Sequence, residues 1–280
     1  MRLPNRGRLR SCGVRLRATR RLSTAAALSF TLAEPLTAQT DYYNTSAGRP
    51  VRIEDAIPVE LRAIELDVAP LRLERSSGRT YQWSLHPEVA VGIMPRTQLQ
   101  LGVPLAYVDE PVTSSRGVAG LEISALHALN VETRVPALAL AADLSLPVGS
   151  LGGDATYGTL KGLVTRTFPW ARFHVNAQAT AGPAIDANDT TATDAREPSR
   201  WLAGLAVDKT FPLRSLLVTA ESFAEQPIVA GEPVALSAGA GLRYQLSPRW
   251  AMDVGVGRRF SGNDRAWYTT FGSAYVVGWR

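Results

Sequence analysis

Cysteine is all but missing from this sequence. Of 280 residues only Cys12 carries a thiol, which excludes a disulfide framework and a cysteine-ligated metal centre. Three histidines leave no His-rich metal cluster to look for. No run reaches the roughly 18 consecutive apolar residues of a membrane-spanning helix. With 45% hydrophobic and 20% charged residues, the chain is too apolar to stay disordered. A basic surface is missing as well, despite a net charge of +5 and a pI near 9.6. Residues 1–38 hold Arg2, Arg6, Arg8, Arg10, Arg15, Arg17, Arg20 and Arg21 against Glu34 alone. Setting these aside leaves 22 basic residues facing 24 acidic ones. The remainder is slightly acidic, and nothing in it invites a nucleic-acid partner.

What is present begins with an address. The Arg-rich residues 1–21 are followed by the short apolar run Ala25–Ala33, then by Thr37-Ala38-Gln39. That order is the n-region, h-region and cleavage site of a secretory signal. The expected organisation is a cleaved signal peptide over 1–39, a periplasmic or lumen-entering segment over 40–62, and a folded domain over 63–280.

That domain alternates with a period of two. From Thr80 to Met94, Tyr81, Trp83, Leu85, Val89, Val91 and Ile93 form one apolar face. The opposite face is Gln82, Ser84, His86, Glu88, Ala90 and Gly92. Successive strand residues point to opposite sides, so this is a strand with one wet and one greasy face. The same period predicts twelve strands, at 63–74, 80–94, 98–108, 118–131, 136–147, 159–168, 172–182, 200–210, 215–223, 234–246, 250–260 and 267–279. The first changes phase at Ala69-Pro70, which places a bulge there.

The connections alternate in length. Tight turns at Pro95-Arg96-Thr97, Phe168–Ala171, Phe211–Arg214 and Ser247-Pro248-Arg249 interleave with polar segments at 109–117, 148–158, 183–199, 224–233 and 261–266. Short periplasmic turns and longer external loops characterise outer-membrane barrels. Trp170, Trp250 and Trp279 fall at the turn ends, and Trp83, Trp201 and Trp267 toward the loop ends, as two aromatic girdles at the lipid headgroups require. Strands in hydrocarbon leave no edge unpaired, so the sheet closes. The fold class is therefore all-β, a closed antiparallel transmembrane β-barrel of about twelve strands in a bacterial outer membrane.

Two stretches carry a resemblance. Thr270-x-Gly272-x-x-Tyr275-x-Val277 in the last strand resembles the terminal signal by which the barrel assembly machinery recognises its clients. The corner Tyr244-Gln245-Leu246-Ser247-Pro248-Arg249-Trp250, with Gly48-Arg49-Pro50 and Glu54-Asp55-Ala56 upstream, resembles outer-membrane proteins grouped with the MetA-pathway phenol-degradation family. The resemblance spans most of 48–279. It implies a transporter-like barrel passing small molecules, aromatic ones among them, with membrane lipids as its surroundings, and it carries no site residues of its own.

Facing parity supplies the candidate lumen and constriction residues: His86, Glu88, Glu122, Asp143, His174, Arg243, Asp253 and Arg259. Gln82, Ser84, Gln98, Gln100, Asn176 and Gln178 share the inner face. Both charge signs occur, unlike the one-sign rings of strongly selective pores. Twelve strands stand between side-chain-filled barrels and open porins, so the passage is narrow or partly plugged. Ser84, His86 and Glu88 share a face as a hydrolase triad would. Alternate strand residues are about 6.6 Å apart, beyond the ~2.6–3.2 Å of a nucleophile–base pair. His127 has outward parity near the periplasmic end, away from the outer leaflet that a barrel lipase works on. His174 is a hydrogen-bonded lumen residue, not a metal ligand. Gly255-Val256-Gly257 sits in a strand pattern and makes no dinucleotide loop. The sequence thus calls for a passive channel with no cofactor and no catalytic set, against the alternatives of a barrel hydrolase and a structural barrel with a filled lumen.

Overall fold

In a computed structural model, residues 45, 49–77, 80–186, 198–262 and 265–278 are described. The signal segment with Cys12, the acidic stretch of the 183–199 loop, and Trp279 lie outside the described residues.

Alternation becomes fourteen strand segments: β1 (Ala63–Ser76), β2 (Tyr81–Met94), β3 (Thr97–Gly102), β4 (Leu105–Asp109), β5 (Ser114–Val118), β6 (Leu121–Ala128), β7 (Ala137–Leu146), β8 (Tyr157–Thr167), β9 (Arg172–Ala181), β10 (Ser199–Thr210), β11 (Leu216–Pro227), β12 (Ala235–Ser247), β13 (Trp250–Arg259) and β14 (Ala266–Gly278). They form twelve staves, because two staves are each interrupted once. The stave of β3 and β4 breaks at Val103-Pro104. Pro104 has no N–H to give, and its carbonyl accepts from Ala119 while Val103 donates to the Pro87 carbonyl on β2. The adjoining stave of β5 and β6 breaks at Ala119-Gly120, where Gly120 holds φ 137°, a region open to glycine. The expected strands 98–108 and 118–131 are therefore each two pieces. The 109–117 loop shrinks to 110–113 because β4 and β5 extend the hairpin, and the strand begun at 215 runs on to Pro227.

Every neighbouring pair is antiparallel, and β1 pairs with both β2 and β14, which closes the barrel. The bulge lies where the phase change put it: both ladders of β1 slip between Asp67/Val68 and Leu71. Before the slip Ala63, Glu65 and Asp67 face inward; after it Arg72 and Glu74 do. The slip lets one stave keep charged residues on the wet side at both ends.

The outer face is apolar around the circumference. Leu99, Leu140, Leu160, Val175, Leu205, Leu236, Val256 and Phe271 are exposed on it, each from a different strand. A soluble protein rarely leaves so continuous a belt open to water, and lipid is its natural cover. Trp170 and Trp250 at the turn end, and Trp83, Trp201 and Trp267 at the loop end, all sit exposed on this surface. Trp170 packs with Phe168 and Phe173, and Arg258 lies 5.1 Å over the Trp267 ring. Inside, the described residues form no single apolar core. The apolar clusters are small and rich in alanine; the space between the walls is filled by polar side chains and by the chain itself.

Candidate functional site

The segment leading into β1 runs through the lumen. Its last residue turns the chain: Arg62 takes φ 62°, its N–H donates to the Gly92 carbonyl at 2.9 Å, and Leu61 makes a parallel bridge to Gly92. From there back to Arg49 the segment meets the inner wall residue by residue.

Arg49 is 1% exposed, the deepest arginine of the lumen. Its guanidinium stands 3.2 Å from Glu65, 2.9 Å from Asp67 and 3.6 Å from Asp253. Burial works against its charge, but these carboxylates outweigh burial and hold it firmly protonated, above the ordinary arginine range. Asp253 is also held by Arg243, with Nε 2.5 Å away. Next, the Pro50 carbonyl accepts from Thr270 Oγ1 at 3.0 Å. The wall opposite Pro50 is glycine: a Cβ built on Gly241 would stand 2.5 Å from the Pro50 Cβ, and one on Gly255 would collide with the Pro50 carbonyl.

Glu221 then captures backbone. Its Oε2 accepts from the Arg52 N–H at 2.7 Å and the Ile53 N–H at 2.9 Å. The Arg52 side chain stands 3.5 Å from Glu225 and 5.8 Å over the Phe223 ring. Ile53 is wholly buried with Leu202, Ala206 and Phe223, and Gly204 leaves the room, since a Cβ there would stand 2.6 Å from Ile53 Cδ1. Asn176, in the amide orientation that satisfies its partners, donates to the Glu54 carbonyl and accepts from the Glu54 N–H, both at 2.9 Å. The Glu54 carboxylate meets Lys161 at 2.9 Å, and Lys161 also meets Asp143 at 2.8 Å.

Asp55 closes a turn: its carboxylate accepts from the Thr45 and Ile57 N–H groups, each at 3.1 Å. Arg172 stands 3.8 Å away. Burial pushes this carboxyl up to about 6, against the pull of Arg172, His174 and the two backbone donors. The Ala56 N–H donates to Thr165 Oγ1 at 3.0 Å. Thr165 in turn touches His174 Nδ1 at 3.0 Å, and His174 Nε2 meets Asp208 at 2.9 Å. One proton arrangement satisfies the whole chain: Nε2–H donates to Asp208, Thr165 O–H donates to Nδ1, and the hydroxyl oxygen is left to accept from Ala56. Finally, the Val59 N–H donates to Gln98 Oε1 at 2.7 Å. An unmet buried N–H costs about 1–3 kcal/mol, and this wall answers the segment's donors with side-chain acceptors in register.

The remaining candidates line the lumen in separate groups. His86 stands 3.3 Å from both Glu88 and Glu122, and Glu88 accepts from Gln100. No hydrogen bond joins Ser84 to His86 among the described residues, and the His86 ring nitrogens face Glu88 and Glu122 instead. Arg259 and Arg72 share Glu74 at 3.1 and 2.6 Å toward the loop end, and Arg72 stacks 3.9 Å over Tyr268. His127 faces outward, bonded to Thr97 at 2.8 Å. The structure brings Asp143, His174, Arg243 and Asp253 together at the segment; the His86 group reaches it through Gln100 and Gln98, whose Oε1 accepts from Val59, and Arg259 sits with Glu74 and Arg72. In β14, Thr270 faces inward to Pro50, and Tyr275 and Val277 face outward.

A family model described as "Putative MetA-pathway of phenol degradation" matches residues 71–275. The chain belongs to that family. Among solved structures, the COG4313 outer membrane channel from Pseudomonas putida F1 is similar, with a TM-score of 0.56 at 12% identity, covering 80% of this chain and 98% of that one. The KdgM porin in complex with disordered oligogalacturonate gives 0.48 at 14%, over 75% and 98%. The translocator domain of autotransporter NalP from Neisseria meningitidis gives 0.49 at 13%, over 76% and 87%. At 12% identity the likeness to the COG4313 channel shows the fold alone, that of an outer-membrane barrel. A comparison with curated protein sequences found no match.

Several members of this MetA-pathway family chain's lumen escape a search for obvious alternation. Lys161, Asp208, Glu221 and Glu225 lie on inward parity of β8, β10 and β11, where small and β-branched residues blur the pattern. Extending parity through those strands finds them. Arg49, Arg52, Glu54 and Asp55 precede the first strand and carry no period. Arg49, Glu54 and Asp55 stand in the motifs that carry the family resemblance, which assigns them no role, and Arg52 is marked only by the density of charge between Pro50 and Pro58.

Proposed function

We propose that the protein is a channel for passive passage of small solutes across the outer membrane, held closed in this structure by residues 49–61. The observation that carries the reading is the chemistry of the inner wall. A barrel built only as a scaffold gains most from a lumen filled with apolar side chains, as buried ion pairs barely offset their desolvation. This lumen instead sets carboxylates, guanidiniums, amides and hydroxyls against a chain segment whose removal would leave a wall that water can solvate. Membership of the family and the fold shared with outer-membrane channels support the same reading. His86, Glu88, Glu122 and Arg259 then line the passage beyond the segment, and Asp143, His174, Arg243 and Asp253 line the stretch it occupies.

Export through a cleaved signal over 1–39 and recognition of Thr270, Gly272, Tyr275 and Val277 by the assembly machinery belong to this reading. It assigns no catalysis. The Thr165–His174–Asp208 relay resembles a nucleophile set, but its hydroxyl takes up the Ala56 N–H and its imidazole is fully buried; it serves as a socket for the segment. Ionic current across a planar bilayer after insertion of the refolded chain, with solute efflux from liposomes, tests the proposal. Current steps and efflux are expected. A folded, inserted barrel that passes neither ions nor small solutes would contradict it.

A further inference from the structure

We propose that residues 49–61 act as a displaceable internal inhibitor and that the wall beneath them selects cations, with the Arg49 guanidinium occupying the place of a small organic cation such as a guanidinium or primary amine. The inference rests on the channel reading above and adds its selectivity and regulation.

It comes from asking, for each ion pair across the segment, what stays behind when the segment leaves. Glu65 and Asp67 lose Arg49, their shared guanidinium. Asp253 loses the same partner and keeps Arg243. Glu221 loses two backbone donors and Glu225 loses Arg52, while Glu225 keeps the Ser199 hydroxyl at 2.6 Å and both acids keep the more distant wall charge of Arg72, joined at Glu225 by Arg259. The wall cations fare differently. Lys161 loses Glu54 but keeps Asp143, and Arg172 loses Asp55 but keeps Asp208 at 2.8 Å. Departure thus uncovers acid on one side of the lumen, while the cations opposite remain neutralised by the wall itself. Carboxylates facing a water-filled constriction between low-dielectric walls favour cations strongly.

The seat is also suited to release. Its contacts are mostly charged or hydrogen-bonded groups that water can replace, so their net worth is small. Apolar burial rests on a few small or medium side chains, Val51, Ile53, Ala56 and Val59. Glycine stands where the segment passes closest, Gly92 and Gly255 against its backbone and Gly204 and Gly241 against the Ile53 and Pro50 side chains, so no wall side chain blocks its path at these points. Arg62, held in the left-handed region, is the point about which it would swing.

The test is single-channel recording of the full chain in a salt gradient, for wild type, Arg49→Ala and Ile53→Ala, with folding checked by circular dichroism and heat-dependent gel migration. Arg49→Ala leaves three carboxylates facing an empty place and is expected to raise open probability roughly tenfold or more. Ile53→Ala loosens the segment without touching an acid, so it carries the selectivity arm if Arg49→Ala does not fold. Both should show reversal potentials on the cation side, and adding Asp67→Asn to Ile53→Ala should reduce that preference. Millimolar methylguanidinium should raise open probability in wild type, and sodium acetate at equal strength should not. Conducting variants with anion preference or none would overturn this inference and leave the channel reading standing. Folded variants that never conduct would overturn both.

Discussion

Truncating one side chain of the lumen segment gives the sharpest quantitative test of how that segment is held. Ile53 is wholly buried against Leu202, Ala206 and Phe223, and Gly204 on the wall is shaped to its Cδ1. Removing three carbons from such a site costs about 2–5 kcal/mol in a protein core. The wall around Ile53 also holds Glu221, so water can enter the hole and the lower end applies, about 2 kcal/mol. If the barrel is otherwise unchanged, the ratio of unseated to seated segment rises roughly thirtyfold. Thiol labelling reads this ratio directly. In a Cys12→Ser background, Ala56→Cys places a thiol where the native side chain is 1% exposed. Under fast reseating, its modification rate by a maleimide follows the unseated fraction. Ile53→Ala should accelerate labelling about thirtyfold, with the far-ultraviolet spectrum unchanged. An unchanged rate in a folded variant would mean that the segment does not leave, and that the buried contacts of Ile53 have no bearing on access.

Three further outcomes follow from the same geometry. Gly255→Val drives a Cβ into the Pro50 carbonyl and to 2.5 Å from Thr270 Oγ1; labelling at position 56 should rise by at least the Ile53→Ala factor, and normal protection would refute the close approach. The Asp55 carboxyl is raised from 3.8 to about 6 in the seated segment, so the seated form binds its proton more tightly than the free form. Its contribution is present in full below about pH 4 and is lost as pH rises through about 6, a span worth on the order of 3 kcal/mol. Labelling relative to a fully exposed cysteine at the same pH, which cancels the titration of the thiol itself, should therefore speed up across that window, and Asp55→Asn should flatten this ratio; a slope of the opposite sign would contradict the burial of Asp55. On the outer face, Val256→Arg puts a charge on the lipid belt and should cost about 2–4 kcal/mol near the midplane. Equilibrium unfolding in bilayers measures this, and a neutral substitution would argue against lipid at that surface.

The barrel was legible because its two faces meet different solvents, and a period of two follows from that contrast. β2, β7 and β12 show it without exception, and even the slip in β1 was visible as a change of phase at Ala69-Pro70. The interruption at Pro104 was less legible, since Val103 and Pro104 continue the alternation in sequence and only the missing N–H breaks the ladder. The site divides in the same way. Side chains fixed by strand parity, such as Asp143, His174, Arg243 and Asp253, are placed on the inner wall by the sequence alone. Their partners could not. Arg49 finds Glu65 and Asp253, sixteen and about two hundred residues away, because the chain folds back through a closed cylinder. A segment of irregular backbone has no period to announce that path. Charge along the lumen reads as balanced on the strand residues with clear parity, and the acids that answer the segment, Glu65, Asp67, Glu221 and Glu225, lie outside that set.

The central claim is that a passage exists and that residues 49–61 close it. Pairing Pro50→Cys with Gly241→Cys, in the Cys12→Ser background, tests it most directly. A Cβ on Gly241 would stand 2.5 Å from that of Pro50, and a disulfide needs about 3.8 Å, so a small displacement lets the bond form and pins the segment to β12. In a planar bilayer the oxidised protein should be silent, and reduction should restore current steps in the same membrane. Equal conductance before and after reduction, with the bond confirmed by mass, would show that ions do not wait for this segment to move.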